Sequence, residues 1–238
     1  MTDWLLEIFS WVSKAQYLLF TAIYELESKV IDVLKEKFSF PVYAMGPTIH
    51  DFDLGENTNL SDNSYLHWLD RQPKSSVLYI SMGSFLSVSC AQMDEIVAGL
   101  RDSGVRFLWV ARDETYKLKE VCGNMGVLSH SSIRGFLSHC GWNSTREGMF
   151  YGLPFLTFPI AFDQVFNSKL IVEDWKIGWR MKQNLAQKFM DLESDEVKEI
   201  RTKAGEVKQI RQCSIAKGGS AEMSINDFIK NLLDCHGY

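Results

Sequence analysis

His139, Glu147 and the pair Asp163-Gln164 are the side chains here whose types and spacing suit a single ligand. They fall within residues 128–164, LSHSSIRGFLSHCGWNSTREGMFYGLPFLTFPIAFDQ. An apolar strand ends at Ser138-His139, and Cys140-Gly141-Trp142-Asn143-Ser144 then turns into a helix. A helix start presents unpaired backbone N–H groups and the positive end of the helix dipole, which suits a diphosphate. Gly141 lets the backbone approach a ligand closely, and Asn143 or Ser144 is placed to cap the helix. Glu147, one turn further on, is positioned to accept hydrogen bonds from two neighbouring ribose hydroxyls. The next strand, Phe155–Phe158, stops at Pro159 and leads to Asp163-Gln164, a carboxylate beside an amide that suits sugar hydroxyls. Read from these residues alone, an ordinary strand–helix unit with Trp142 in a core and Glu147 as a solvated charge fits as well.

Positioning such residues requires elements on either side, and the pattern supplies them. From Ser75 onward, strands are expected at Val77–Ser81, Arg106–Ala111, Gly135–Ser138, Phe155–Phe158 and Gly178–Met181. Helices are expected between them at about 90–102, 143–152 and 164–175, with closing helices over 184–212 and 221–234. Apolar strands alternating with amphipathic helices indicate an α/β fold with a parallel sheet covered on both faces. Upstream, a helix over 3–13, a strand over Tyr17–Tyr24, a helix over Glu25–Lys37 and a strand over Phe40–Met45 form a separate group. Residues 46–63 lose apolar periodicity and gain Asn, Asp and Gly, which marks a linker; a short helix over Tyr65–Asp70 follows it. The expected division is therefore 1–45, a linker at 46–63, and 64–238.

Composition narrows the class. A net charge of −5 argues against a nucleic-acid or anionic-membrane surface. The five cysteines are odd in number and never spaced CxxC, which fits a reducing cytosol better than disulfides or a zinc site. The start carries Asp3 and Glu7 and no early Lys or Arg, the reverse of a signal peptide. The apolar run Tyr17–Tyr24 is far shorter than the ~20 residues of a bilayer span. A cytoplasmic protein without a membrane span is expected.

The stretch HCGWNS, with Glu147 three residues beyond it and Asp163-Gln164 after the next strand, resembles the signature box of the plant secondary-product UDP-glycosyltransferases. KAQYLLFTAIYELE, FPVYAMGP, WLDRQPKSSVLYISMGSF, FLWVAR and the closing AKGGSAE are similar to that family too. The resemblance implies half of a GT-B fold: residues 64–238 as the Rossmann-like UDP-sugar domain and 1–45 as the tail of the acceptor domain. It implies that His139, Gly141 and the backbone around Asn143 and Ser144 hold the diphosphate, that Trp142, Asp163 and Gln164 contact the sugar, and that Glu147 holds the ribose. Ser84, in the Gly-Ser turn after the first strand, would lie beside the diphosphate. A UDP-sugar is a substrate here, and no cofactor or metal is implied.

Three departures qualify this. The family's catalytic histidine and its orienting aspartate have no counterpart in residues 1–45, so no catalytic residue is assigned, and His50 and His67 match no family position. After Gly126 the family has a strand, then a Trp that stacks on uracil and a Gln that binds the nucleoside; this chain runs from CGNMG into VLSH. Loss of an aromatic platform removes stacking worth ~1–3 kcal/mol per base in nucleic-acid sites. In a 3-2-1-4-5-6 sheet the missing strand is at the edge, so the sheet survives without it. The connection after Met181-Lys182 is also short.

The resemblance implies transfer of a sugar, glucose foremost, from a UDP-sugar to a hydroxyl of a small metabolite such as a flavonoid or phenolic. The alternative is a non-catalytic, weak UDP-sugar-binding fragment or an interaction module. GxGxxG after a strand, GxxxxGK[ST], HExxH and GxSxG are all absent, which leaves dehydrogenase, P-loop, zincin and hydrolase readings unsupported.

Overall fold

Short apolar runs separated by helix-length amphipathic segments build parallel strands in both parts of the molecule. The computed structural model describes residues 10–12, 14–47, 64–83, 90–110, 125–181 and 185–236. In chain order the elements are β1 (Leu18–Phe20), α1 (Tyr24–Lys37), β2 (Val42–Ala44), α2 (Ser64–Asp70), β3 (Val77–Ser81), α3 (Cys90–Asp102), β4 (Arg106–Val110) and α4 (Met125–Leu128). They continue as β5 (Ile133–Ser138), α5 (Trp142–Tyr151), β6 (Phe155–Thr157), α6 (Gln164–Lys169) running into a π-helical turn (Leu170–Asp174), and β7 (Gly178–Arg180). The chain closes with α7 (Leu185–Phe189), α8 (Asp195–Ile215) and α9 (Ser220–His236). Of the helix expected over 3–13, residues 10–12 are described and are helical.

The contacts divide the chain into residues 1–50 with 209–238 and residues 51–208. The sequence-based division kept 209–238 with the domain beginning at 64; the structure returns that segment to the N-terminal unit. The reason is an aromatic seam. Phe228 of α9 lies edge-on to Tyr17 and Tyr43, with ring centroids 5.6 and 5.4 Å away, and Asn231 is hydrogen-bonded to the Tyr43 hydroxyl. In the same unit β1 and β2 pair in parallel, and Ala22, Ile31 and Ala44 form a small core.

In the second unit the sheet order is β4-β3-β5-β6-β7, all parallel. Alternate residues turn to opposite faces. Leu78, Ile80, Leu137 and Leu156 share one core with Ile96 and Leu100 of α3 and Phe189 of α7. On the other face Tyr79, Phe136 and Phe155 pack ring to ring, with centroid spacings of 5.0 and 5.6 Å. Full burial of one such side chain contributes about 1.5–3 kcal/mol, so the fully buried β3–β5 centre dominates the sheet's stability. β4 is an edge strand among the described residues. Its Phe107, Leu108 and Trp109 are half-buried where Val77 to Ile80 of β3 are buried. Among the described residues this is the 3-2-1-4-5-6 order without a strand 3.

Two expected elements are redrawn. The closing helix over 184–212 is α7 and α8, because Asp191 Oδ1 accepts the Glu193 N–H (2.9 Å) and turns the chain between them. The strand expected over Tyr17–Tyr24 is only β1, since Tyr24 already opens α1.

Candidate functional site

Parallel pairing aligns the strand ends. Ser81 of β3 lies opposite Ser138 of β5, and Ser138 opposite Thr157 of β6. The segments that follow, Met82-Gly83, His139–Gly141 and Phe158–Asp163, therefore leave the sheet on one side, the side where α/β folds hold ligands.

His139 is the centre of this end. A Cβ placed on either Gly83 or Gly141 would run into its ring, so both positions are held bare by the histidine. Gly83 has φ +77°, in the left-handed region that favours glycine. Burial pushes the His139 pKa below the usual histidine range, while the Ser81 carbonyl and the Asp163 carboxylate draw it back up. The imidazole is therefore neutral at pH 7, and its buried Nδ1 has no hydrogen-bond partner among the described residues. Gly83, His139, Gly141 and Asp163 thus converge.

The first turn of α5 begins one residue earlier than expected. Gly141 is its N-cap, with no side-chain cap, and neither Asn143 nor Ser144 serves as one. The exposed Asn143 instead accepts a hydrogen bond from Arg146 Nη2 (2.6 Å) through Oδ1. The opening N–H groups of α5 are left to something other than a capping side chain. Ser144 is half-buried in that turn. Trp142, half-buried, packs against Trp175, with centroids 6.5 Å apart.

Glu147 is half-buried on α5, and desolvation raises its pKa above the usual carboxylate range while Arg146 opposes the rise. Its charge in turn adds to the burial that raises Tyr79. Cys140, fully buried with φ +65°, has its thiol pushed up to about 12 by burial, so it is a packing residue and not a nucleophile.

Two side chains near the carboxylate–amide pair escape sequence reading. Asn167 Nδ2 donates to the Cys140 carbonyl (2.9 Å) and to Asp163 Oδ2 (2.8 Å), tying the β5–α5 turn to the loop after β6. Its spacing of four from Asp163 on one helix face was the available signal. Ser168 Oγ donates to Thr157 Oγ1 (2.9 Å) beneath the same loop. Asp163 is exposed, whereas Gln164 is buried and its Oε1 accepts the N–H groups of Ile160 (2.8 Å) and Ala161 (3.0 Å). Gln164 therefore shapes the loop with its oxygen and retains only its amide N–H groups for a ligand.

Ser84 and His50 lie outside the described residues, and His67 is exposed on α2. Around Gly126 there is one helical turn, α4, whose Val127 and Leu128 are buried. Among the described residues no group of three His, Cys, Asp or Glu is placed to hold a metal ion, and no helix is long and apolar enough to cross a membrane.

The second unit is thus a Rossmann-like α/β domain, with a histidine-centred cradle at the carboxyl ends of its strands. A family model described as "UDP-glucoronosyl and UDP-glucosyl transferase" matches residues 21–191, and the chain belongs to that family. It is 47% identical over 244 residues to UDP-glycosyltransferase 87A1 of Arabidopsis thaliana, covering 92% of this chain and 56% of the relative. It is 45% identical over 243 residues to UDP-glycosyltransferase 87A2 of the same plant, covering 92% and 53%. Among solved structures, Medicago truncatula UGT71G1 complexed with UDP-glucose superposes with a TM-score of 0.76 at 29% identity, over 92% of this chain and 54% of that one. The chain spans about half the length of the curated relatives it matches.

Proposed function

We propose that the second unit is the donor-binding half of a UDP-glycosyltransferase and holds a UDP-sugar, with glucose the expected sugar, at the carboxyl ends of β3, β5 and β6. The convergence of Gly83, Gly141 and Asp163 on His139, beside the uncapped start of α5, supports this reading. The diphosphate lies against the α5 N–H groups and His139, next to Gly141, Asn143 and Ser144. Glu147 receives the ribose hydroxyls. Asp163, the Gln164 amide and the edge of Trp142 face the sugar. A small hydroxylated metabolite, a flavonoid or phenolic, is the acceptor, and the cytoplasm is the compartment.

In the complete reaction the acceptor oxygen attacks the anomeric carbon, its proton passes to a general base, and the bond from that carbon to the diphosphate breaks as UDP leaves with inversion. The donor half stabilises the charge on the leaving diphosphate through fixed N–H groups and His139. The family resemblance makes that base a histidine, and residues 1–49 contain none. A positioned base contributes ~10²–10⁴-fold, so this chain by itself binds donor and does not turn over at a useful rate.

Calorimetry with UDP-glucose tests the binding, and incubation with UDP-glucose and a panel of phenolics, following UDP release, tests turnover. Weak saturable binding without glucoside is expected. Unchanged affinity in Glu147→Ala removes the ribose role. Robust turnover lost in His139→Ala overturns the division of labour and makes His67 and His50 the next residues to replace.

A further inference from the structure

α6 carries its polar residues inward and its apolar residues outward. Gln164, Asn167 and Ser168 are buried, at i, i+3 and i+4 of one helix face. Val165 is 52% exposed and Phe166 71%, the latter the most exposed of the large apolar side chains among the described residues. Phe162, immediately before the N-cap Asp163, is 51% exposed as well. A surface helix normally turns its apolar side chains to a core and its polar ones to water. Single exposed apolar residues need no explanation. Three within five residues, around the exposed Asp163 carboxylate, form a patch of the kind that marks an interaction site.

The backbone holds this patch in place against its own preference. Phe162 has φ +57°, in the left-handed region that a bulky side chain rarely enters. Gln164 Oε1 accepts the N–H groups of Ile160 and Ala161, and the Gln164 N–H donates to the Ala161 carbonyl (3.2 Å), so the turn is fixed on both sides of Phe162. Asn167 anchors the same turn through Asp163 Oδ2 and the Cys140 carbonyl, and Cys140 is the other non-glycine residue at this end of the sheet with a left-handed backbone. Strain of this kind persists where the surroundings over-determine it, and it gathers at ligand sites. Core packing does not account for a ring half out in solvent on a backbone that glycine or asparagine occupies more easily.

We propose that Phe162, Val165 and Phe166 form the apolar contact for the acceptor's ring, so that the donor half itself helps to select a planar aromatic alcohol. This rests on the donor reading, which sets Asp163 at the sugar. The attacking oxygen must come within about 3–3.5 Å of the anomeric carbon. Phe162 is joined to Asp163, with consecutive Cα atoms ~3.8 Å apart. An acceptor whose hydroxyl reaches that carbon lies beside Phe162, its ring against the apolar patch and its hydroxyl next to the Asp163 carboxylate. A flat ring with one polar edge matches two phenylalanines around a carboxylate. A charged or heavily hydroxylated acceptor does not.

The test needs no turnover. 2-Naphthol, a planar phenol, is titrated into the full chain with UDP-glucose and followed by saturation-transfer NMR, while calorimetry gives the UDP-glucose affinity of each variant. Saturable naphthol binding is expected, with interligand NOEs to the anomeric proton of glucose and not to uracil. Phe162→Asn and Phe166→Gln are each expected to weaken naphthol binding by about two- to tenfold and to leave UDP-glucose affinity unchanged. The thermal midpoint of Phe162→Asn should hold or rise, because Asn tolerates the left-handed backbone. Decahydro-2-naphthol, the saturated counterpart, should bind much more weakly. Naphthol binding equal in both variants, no saturable naphthol binding beside intact UDP-glucose binding, or equal binding of the saturated alcohol overturns the proposal. A dimer that Phe166→Gln dissolves, without naphthol binding, gives the patch to a second copy and overturns it too. Absence of UDP-glucose binding in the wild type sinks the donor reading and takes this proposal with it. A lowered midpoint or loss of fold in Phe162→Asn removes that ring from the patch, and Phe166→Gln then decides: retained naphthol affinity refutes the proposal and weakened affinity supports it.

Discussion

His130 and His139 flank the same strand and differ in what their rings lack. His130, before β5, has both ring nitrogens engaged. Nδ1 meets Ser132 Oγ (2.8 Å) and accepts the Ser132 N–H (3.2 Å), and Nε2 meets Asp70 Oδ1 (3.1 Å). That arrangement pins α2 to the turn before β5, and the Ser132 side chain inside it is fully buried. His139, after β5, has a buried Nδ1 with no partner among the described residues and two glycines cleared beneath it. A Ser–His–Asp set whose hydrogen bonds close on themselves is a structural clamp. On the proposed function, the histidine at the carboxyl end of the parallel sheet is the one that faces the ligand. Chemical type does not distinguish the two; hydrogen-bond satisfaction and position on the sheet do.

The comparison breaks most visibly at the glycines. Gly141→Val displaces the His139 ring and crowds the start of α5, so UDP-glucose affinity is expected to fall more than tenfold in calorimetry. His139→Ala removes one hydrogen bond to a charged group, worth ~1.5–3 kcal/mol, with little change in thermal midpoint. Survival of full donor affinity in both variants would end the case for His139.

The mirror-image experiment is His130→Ala. It strips the partner from the buried Ser132 hydroxyl and frees α2, so stability is expected to drop by ~1–3 kcal/mol by urea unfolding. Donor affinity per folded molecule should be unchanged. Lost affinity in a stably folded His130→Ala protein would erase the contrast.

A smaller effect concerns pH. The His139 pKa is lowered in the free protein, so below the ordinary histidine pKa of 6.5 the unfolded chain takes up a proton that the folded one resists. Its contribution to stability is present above that value and is lost as pH falls through the depressed folded pKa. A bound diphosphate favours the imidazolium, so UDP-glucose affinity should rise as pH falls from 7.5 toward 6, by no more than about tenfold per unit for one proton. Flat affinity would mean that the ring binds in its neutral form; a rise that persists in His139→Gln would place the proton elsewhere. Smallest of all, Asn143→Ala on the exposed face of α5 should change stability by less than ~0.5 kcal/mol.

Much of this was legible in the chain itself. The strands VLYIS, RFLWV and IRGFLS are apolar because both sheet faces are covered, and α3 matches its expected bounds at Cys90–Asp102 because its amphipathic pattern is local. His139, Gly141, Glu147 and Asp163 could be nominated because the ligand logic of a strand–turn–helix unit lies within a few residues.

Tertiary structure decided whatever depends on partners distant in sequence. α9 joins the first unit through Tyr17 and Tyr43, Asp70 reaches a histidine far along the chain at His130, and Trp142 meets Trp175. Gly141 became the cap of α5, and the Gln164 oxygen turned back on its own loop. A bulge at Arg134 leaves no periodic trace in a short strand, because only the register against β3 reveals the extra residue. Periodicity reports which face of an element is apolar, but hydrogen-bond partners and burial are properties of assembled neighbours, and these no local window contains.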